Sequence, residues 1–141
     1  IAQLVRDLDE RGLLNRTRVI LASEFSRDAV TEGKAVKEVR DQAINIPDIM
    51  QEPRHYGMHR HFTAAGSVLM FGGGVKKGFA YGKTADERPC TTIEHPLPVE
   101  DLHATIFHAL GIPADLAYID QKRPVYVTRD GKGQVAKDVF A

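Results

Sequence analysis

Residues 18–27 read RVILASEFSR, and this stretch decides the fold. Its first half, residues 18–22, is a compact apolar run rich in branched side chains, which is typical of a strand buried in a sheet. Polar residues then follow abruptly, with Glu24 and Arg27 among them. In an open α/β sheet, ligands bind at the carboxyl ends of the strands. The stretch therefore predicts a buried strand with candidate functional residues at its end.

Helices and strands are predicted to alternate around this stretch. Apolar residues spaced i, i+3, i+4, i+7 from Ile1 predict a helix that ends at Gly12. Residues 67–71 (SVLMF) predict a second buried strand, halted by the glycines at 72–74. Glycine permits positive φ, so the chain can turn sharply there or approach a neighbour closely. No phosphate-loop pattern follows these glycines, and nucleotide binding is not predicted.

The second half of the chain continues the same pattern. A short strand or hairpin arm is predicted at 79–82, and a loop at 84–98. An amphipathic helix is predicted from Val99 to a stop at Gly111, with Asp101 capping its first turn and complementing its dipole. An edge strand is predicted at 123–128. This order of elements is typical of an α/β protein.

Composition narrows the possible partners. Net charge is zero, with 19 basic and 19 acidic residues, so neither a nucleic-acid footprint nor an anionic membrane surface is indicated. No apolar stretch approaches the ~18 residues of a spanning helix. A lone cysteine, Cys90, excludes an internal disulfide. Because the chain opens directly in a helical pattern without an initiator Met, residues 1–141 are interpreted as the C-terminal part of a single α/β domain.

A polar segment between the two predicted strands contains the densest cluster of titratable groups. Residues 28–61 are predicted as a long loop, with a weak helix at 30–39, and they end in a histidine-rich run. Loops of this length in compact domains are usually functional. Carboxylate and imidazole are ligands of divalent cations, so Glu24 and His61 are candidate metal ligands. The alternative is a chance spacing of two ordinary polar residues.

A second candidate site consists of Arg27 and His59, with Arg60 beside them. Arginine binds the oxygens of phosphate or sulfate through paired hydrogen bonds. His59 and His61 are two residues apart, so in an extended chain both point the same way. The alternative is a solvated loop that carries ordinary charges.

Four segments together resemble one known family. They are residues 22–27 (ASEFSR), residues 61–78 with their GGGVKKG ending, residues 81–84 (YGKT), and residues 101–111 (DLHATIFHALG). In this order they resemble the C-terminal region of the bacterial sulfatase-like proteins called domain of unknown function (DUF) family 1501. That family belongs to the alkaline phosphatase-like superfamily and is abundant in Planctomycetes. The resemblance extends from residue 1 to about residue 130.

The resemblance implies roles for individual residues. The family's Gly-Glu-Phe-Gly-Arg sequence matches residues 23–27, which keep Glu24 and Arg27. Its Arg-Asp-His sequence matches residues 59–61, where His61 is kept and arginine replaces the aspartate at position 60. The resemblance implies a partial alkaline phosphatase/sulfatase-like sheet flanked by helices. It also implies a divalent metal ion (zinc, calcium, magnesium or manganese), a nucleophile from an N-terminal half, and a periplasmic or extracellular location.

Two functional hypotheses follow. In the first, the intact protein is a metal-dependent hydrolase of small-molecule or polysaccharide sulfate or phosphate esters. Glu24 and His61 hold the metal, while Arg27 and His59 stabilise developing negative charge. In the second, the same fold is a noncatalytic binding or assembly module of the cell envelope. The arginine at position 60 favours the second hypothesis.

Overall fold

The structure is a computed structural model that describes residues 1–29, 49–55, 59–62, 65–87 and 90–141. The described part is mixed α/β, with two α-helices and four two-stranded sheets. The elements are α1 (Ala2–Glu10), β1 (Val19–Ala22), β2 (Ser26–Ala29), β3 (His59–Phe62), β4 (Val68–Phe71), β5 (Lys83–Thr84), β6 (Thr92–Glu94), α2 (Val99–His108), β7 (Ala117–Asp120) and β8 (Arg123–Tyr126). The predicted α/β class is confirmed.

The chain forms two compact units. The first unit comprises residues 1–19, 71–81 and 96–141, and the second comprises residues 20–70 and 82–95. The first unit contains both helices, and the second contains Arg27 and His59. No helix in the described part of the chain is long and apolar enough to cross a membrane.

Both predicted helices form, and the predicted glycines follow their last residues by two positions in α1 and three in α2. Gly12 has a φ of +65°, and the amide of Leu13 donates back to the carbonyl of Leu8 at 2.8 Å. Gly111 has a φ of +74°, and the amide of Ile112 donates to the carbonyl of Phe107 at 3.0 Å. These bonds satisfy carbonyls that the last helical turn leaves open, and glycine accepts the left-handed conformation that they require.

The two predicted buried strands form β1 and β4, which pair with each other. Their predicted burial is wrong, because Leu21 is 44% exposed and Leu69 is 51% exposed. In the described residues β1 and β4 pair only with each other, and no residue of either strand is buried.

Strands β2 and β3 lie at the two ends of the segment that was predicted to be loop. They pair antiparallel, with Ser26 opposite Phe62, Arg27 opposite His61, and Ala29 opposite His59. Their sequences, SRDA and HRHF, lack the apolar alternation that marks a half-buried strand. The ladder is formed by backbone hydrogen bonds, of which these side chains give no sign. The loop prediction was therefore wrong at residues 28–29 and 59–61. The helix predicted at 30–39 lies outside the described residues.

The strand predicted at 79–82 was also wrong. The strand begins at Lys83, as β5, and pairs with β6 inside the predicted loop. Gly82 has a φ of +78°, and an added Cβ would lie 3.0 Å from the carbonyl oxygen of His95. Backbone in this left-handed region cannot continue a strand, so β5 starts only after the glycine.

The predicted edge strand near the C-terminal end is confirmed as β8, and its partner β7 was not predicted. The two strands form an antiparallel hairpin in which Asp120 is opposite Arg123 and Ile119 is opposite Pro124. The residues between them, Gln121 and Lys122, both have positive φ, at 45° and 66°. This is the backbone of the two-residue turns that match the twist of a hairpin.

The packed centre of the first unit lies at α2. Thr105 is 1% exposed, and its hydroxyl donates to the carbonyl of Asp101 at 2.7 Å and accepts from the amide of Ala136 at 3.0 Å. The Asp101 carboxylate accepts from the amide of Gln134 at 2.7 Å. Asp101 therefore lies in the first turn of α2, as predicted. Its carboxylate, however, binds the C-terminal segment, residues 133–136, and does not cap the helix.

Candidate functional site

The candidate site of the second unit is built on the β2–β3 ladder. Arg27 lies on β2 with an exposed side chain, directly opposite the His61 position of β3. His59 lies two residues from His61 on the same strand, so positions 59 and 61 share one face of the ladder with Arg27. The extended conformation that the H-x-H prediction required is therefore present.

Arg27 and His59 are in direct contact. The Nη1 atom of Arg27 lies 3.0 Å from Nε2 of His59. Arginine can only donate, so Nε2 of His59 is the acceptor in this hydrogen bond. The contact is diagonal across the ladder, since Arg27 is opposite His61 and His59 is opposite Ala29. The structure thus brings together the two residues that were predicted to stabilise negative charge.

Phe25 fixes the guanidinium from a second side. The guanidinium carbon of Arg27 lies 5.5 Å from the centroid of the Phe25 ring, which is within cation–π range. The hydroxyl of Ser23 donates to the carbonyl of Phe25 at 2.7 Å, which stabilises the turn that precedes β2. Sequence reasoning did not assign a role to Phe25. The sequence carried no clear signal for it, because Phe25 lies in the turn before β2 and not in the strand.

For the predicted metal ligands, Glu24 and His61, the structure describes only one of the two side chains. Glu24 is exposed and precedes β2 by two residues, while the backbone of His61 lies on β3. The imidazole of His61 lies outside what the structure describes. The metal assignment of Glu24 and His61 therefore stays a prediction.

The described residues do not by themselves form a metal site. Within them, no group of three or more His, Cys, Asp or Glu side chains is placed to hold an ion. The Nε2 atom of His59 accepts from the Arg27 guanidinium, so this nitrogen faces a cation already. The role of His59 in stabilising negative charge stays a prediction.

Another histidine of this unit has a local structural role. His55 is buried, at 7% exposure, and its Nδ1 accepts from the amides of Gln51 and Glu52 at 3.2 and 3.3 Å. Its ring thereby closes the short turn that holds residues 51–55. A nitrogen committed to two backbone amides is not available to a substrate, so His55 is not included in the candidate site.

Comparison with known proteins gives one match. No curated protein and no solved structure matches the chain. The family model described as "Protein of unknown function (DUF1501)" matches residues 1–140. This range includes α1 and α2, the glycines at 72–74 and the β2–β3 ladder with Arg27 and His59. The chain therefore belongs to the DUF1501 family.

Proposed function

We propose that the intact protein hydrolyses sulfate or phosphate esters of small molecules or polysaccharides, and that Arg27 binds the ester oxyanion. The observation that carries the proposal is the contact of the Arg27 guanidinium with His59 on one side and with the Phe25 ring on another. These two contacts hold the exposed guanidinium in a fixed direction. A planar guanidinium forms paired, charge-assisted hydrogen bonds to tetrahedral oxyanions.

His59 acts as a positioning residue in this proposal. Its Nε2 atom accepts one Nη1 hydrogen of Arg27, which limits the rotation of a long side chain. The ring of Phe25 restricts the guanidinium further. Because less side-chain entropy is lost when the anion binds, the oxyanion contact is more favourable than it would be with an unrestrained arginine. The same contact stabilises negative charge that develops on the ester oxygens.

A divalent metal ion remains part of the proposal through Glu24 and His61. The chemistry that such an ion supplies when bound is polarisation of an ester oxygen and activation of a nucleophile. The partial alkaline phosphatase/sulfatase-like sheet, the nucleophile from an N-terminal half, and the periplasmic or extracellular location are likewise proposed. These features rest on the resemblance of the motifs at residues 22–27 and 59–61.

Hydrolysis of aryl sulfate and aryl phosphate esters by the intact protein tests the main proposal. The variant Arg27→Met removes the charge and keeps the length of the side chain. We expect it to lower kcat/KM by about 100-fold, the usual effect of removing one oxyanion donor. His59→Ala is expected to lower it less, and His59→Gln to recover part of that loss because its amide oxygen can accept from Arg27. Arg6→Met, on the exposed surface of α1, is the matched control.

Metal content tests the second part. Glu24→Gln and His61→Ala are each expected to reduce the metal that co-purifies with the intact protein. Glu87→Gln and His103→Ala change exposed residues of the same types and serve as controls. Unchanged metal content in both test variants would refute the ligand assignment. If neither ester is hydrolysed and Arg27→Met weakens the binding of a sulfated polysaccharide, the protein is the noncatalytic cell-envelope module instead.

A further inference from the structure

A cleft of about 540 Å³ lies in the first unit, along the segment that we call the glycine-rich loop, residues 72–78. Its volume falls in the range of roughly 300–1,000 Å³ that is typical of small-molecule sites. The cleft is lined by residues of the first unit alone, whereas Arg27 and His59 belong to the second. It is therefore a candidate binding site of the first unit.

The backbone of the glycine-rich loop is held in place from two sides. The amide of Gly73 donates to the carbonyl of Leu14 at 2.9 Å, and the amide of Lys76 donates to the carbonyl of Val139 at 2.9 Å. Gly72 lies so close to residue 17 that an added Cβ would be 2.3 Å from the Thr17 carbonyl oxygen. A loop fixed in this way presents its side chains in a preformed arrangement, which lowers the entropic cost of binding.

Arg18 reinforces the same loop. Its guanidinium donates to the carbonyl of Gly73 and lies 5.0 Å from the centroid of the Phe140 ring. Burial lowers the pKa of Arg18, because the charged form loses part of its hydration. A hydrogen bond from a partly desolvated guanidinium is stronger than one made in water, so this contact holds the wall of the cleft firmly.

Two glycines leave open space on the cleft side. Gly74 and Gly78 both line the cleft, with φ of +82° and +63°, and an added Cβ at either position would meet no atom within 4 Å. The backbone is therefore exposed where no side chain intervenes, and a ligand can approach it closely. Packing explains the glycine at position 72, whereas positive φ accounts for those at positions 74 and 78.

The side chains of the cleft combine two kinds of polar group. Lys76 and Lys77 are exposed, and the Nζ atom of Lys76 lies 5.1 Å from the centroid of the Phe79 ring, which directs its charge. Asp9 and Asn15 also line the cleft. The ammonium groups attract an oxyanion, whereas a carboxylate and an amide accept hydrogen bonds from hydroxyl groups.

We propose that this cleft binds a saccharide that carries a sulfate or phosphate group. The oxyanion contacts Lys76 and Lys77, and the sugar hydroxyls contact Asp9 and Asn15. A bare inorganic anion fits poorly, because it leaves most of the volume unfilled and is repelled by the Asp9 carboxylate. An uncharged sugar leaves both lysines without an anionic partner. The combination of charge and hydroxyl groups is therefore what the cleft selects.

Calorimetric titration of the full chain tests the proposal with four probes. They are a sulfated disaccharide, the same disaccharide phosphorylated, the unmodified disaccharide, and inorganic sulfate. One or both of the modified sugars is expected to bind at least about tenfold more tightly than the unmodified sugar and the inorganic anion, and the ratio between the two identifies the preferred group. Affinity is expected to fall as salt is raised, because the exposed ammonium groups are screened.

Matched variants assign the binding to the cleft. Lys77→Met and Asp9→Ala are each expected to weaken binding of the preferred modified sugar by about fivefold or more, the scale of one charge-assisted contact. Lys132→Met, an exposed lysine outside the cleft, is the control and is expected to leave the affinity unchanged. Equal affinity for all four probes, or a loss of affinity in Arg27→Met but not in Lys77→Met, would overturn the assignment. Because Arg27→Met and Lys77→Met separate the proposed ester site from the cleft, a failure of this proposal is distinguishable from a failure of the proposed hydrolysis.

Discussion

The two helices of the first unit show opposite relations between sequence pattern and packing. Helix α1 has the regular apolar spacing of an amphipathic helix, yet no residue in it is buried and Leu4 is 50% exposed. Helix α2 has Ala104 and Thr105 almost completely buried. A small side chain and a hydroxyl therefore mark the better packed helix, whereas the larger apolar side chains mark the less packed one.

The difference arises because α2 is hydrogen-bonded to another segment of the first unit, residues 133–136. Residues 133–136 run closely along α2 and place two backbone amides on side-chain acceptors, the Asp101 carboxylate and the Thr105 hydroxyl. The Ala136 amide is buried and needs a partner, and the two bonds together hold the segment at a defined position. In contrast, α1 is ended by its own backbone bonds at Gly12 and needs no such partner.

Gly133→Ala should have the largest effect on stability. Its added Cβ would lie 2.4 Å from the carbonyl oxygen of Glu100 and 2.9 Å from the Cβ of Ala104, in backbone with a φ of +122°. We expect the free energy of unfolding to fall by about 3 kcal/mol, from overpacking and backbone strain together. The control is Gly12→Ala at the end of α1, where φ is +65° but no atom lies within 4 Å. It should cost only about 1 kcal/mol.

Denaturant unfolding of the two glycine variants measures this difference. The φ of +65° at Gly12 lies in the left-handed region, whereas the φ of +122° at Gly133 lies outside it. The excess loss at position 133 therefore measures the steric contact with α2 together with the greater backbone strain. Equal losses would show that residues 133–136 do not pack against α2 as closely as described.

Thr105→Val tests the hydroxyl that joins α2 to the C-terminal segment. Valine keeps the shape of the side chain, so the change removes the donor to Asp101 and leaves the amide of Ala136 without its acceptor. We expect the free energy of unfolding to fall by about 2 kcal/mol, the cost of a buried unsatisfied donor plus the lost bonds. Thr91→Val, on an exposed residue, should change it by less than about 0.5 kcal/mol. A similar result for both threonines would contradict the role of the hydroxyl.

Asp101→Ala should have a smaller effect. It removes the acceptor of the Gln134 amide and one favourable charge in the first turn of α2, for a combined loss of about 1.5 kcal/mol. Glu100→Ala removes a charge from the same turn and should cost about 0.5 kcal/mol. Thermal unfolding of the two variants therefore separates the hydrogen bond from the helix dipole. Equal shifts in Tm would mean that the carboxylate contributes through its charge alone.

Leu4→Ala should have the smallest effect of the series. Half of the Leu4 side chain is already exposed, so truncation removes little buried surface, and we expect a loss below about 1 kcal/mol. The same denaturant titration measures it. A loss above about 2 kcal/mol would indicate that α1 packs against a surface outside the described residues, and the contrast between the two helices would no longer hold.

The sequence predicted best what depends on neighbouring residues. Glycine at positions 12 and 111 ends both helices because a left-handed residue is required locally, and this requirement can be recognised without tertiary contacts. The pairing of β2 with β3 joins residues 26–29 to residues 59–62 through backbone bonds, and polar sequences carry little sign of such pairing. The burial of β1 and β4 was predicted wrongly for a related reason, because an apolar run does not specify which elements pack against the faces of a strand.

The candidate site shows the same limit. Arg27 and His59 were selected from their chemistry and motif, and the structure brings them within 3.0 Å of each other. Their contact depends on the register of the ladder, which the sequence did not specify. The contact of Phe25 with Arg27 depends on the turn before β2. The cleft beside Lys76 and Lys77 is formed by residues from three separate parts of the chain. Such convergence follows from the tertiary fold and not from local spacing.

Pro124 gives the β7–β8 hairpin two unequal outer edges. Asp120 and Arg123 flank the two-residue turn, so the next pair, Ile119 and Pro124, directs its backbone polar groups away from the partner strand. Proline has no amide hydrogen, and the outward side of β8 therefore lacks a donor at this point. A further strand could extend the ladder regularly beside β7 but not beside β8, so Pro124 restricts growth of the hairpin to one side.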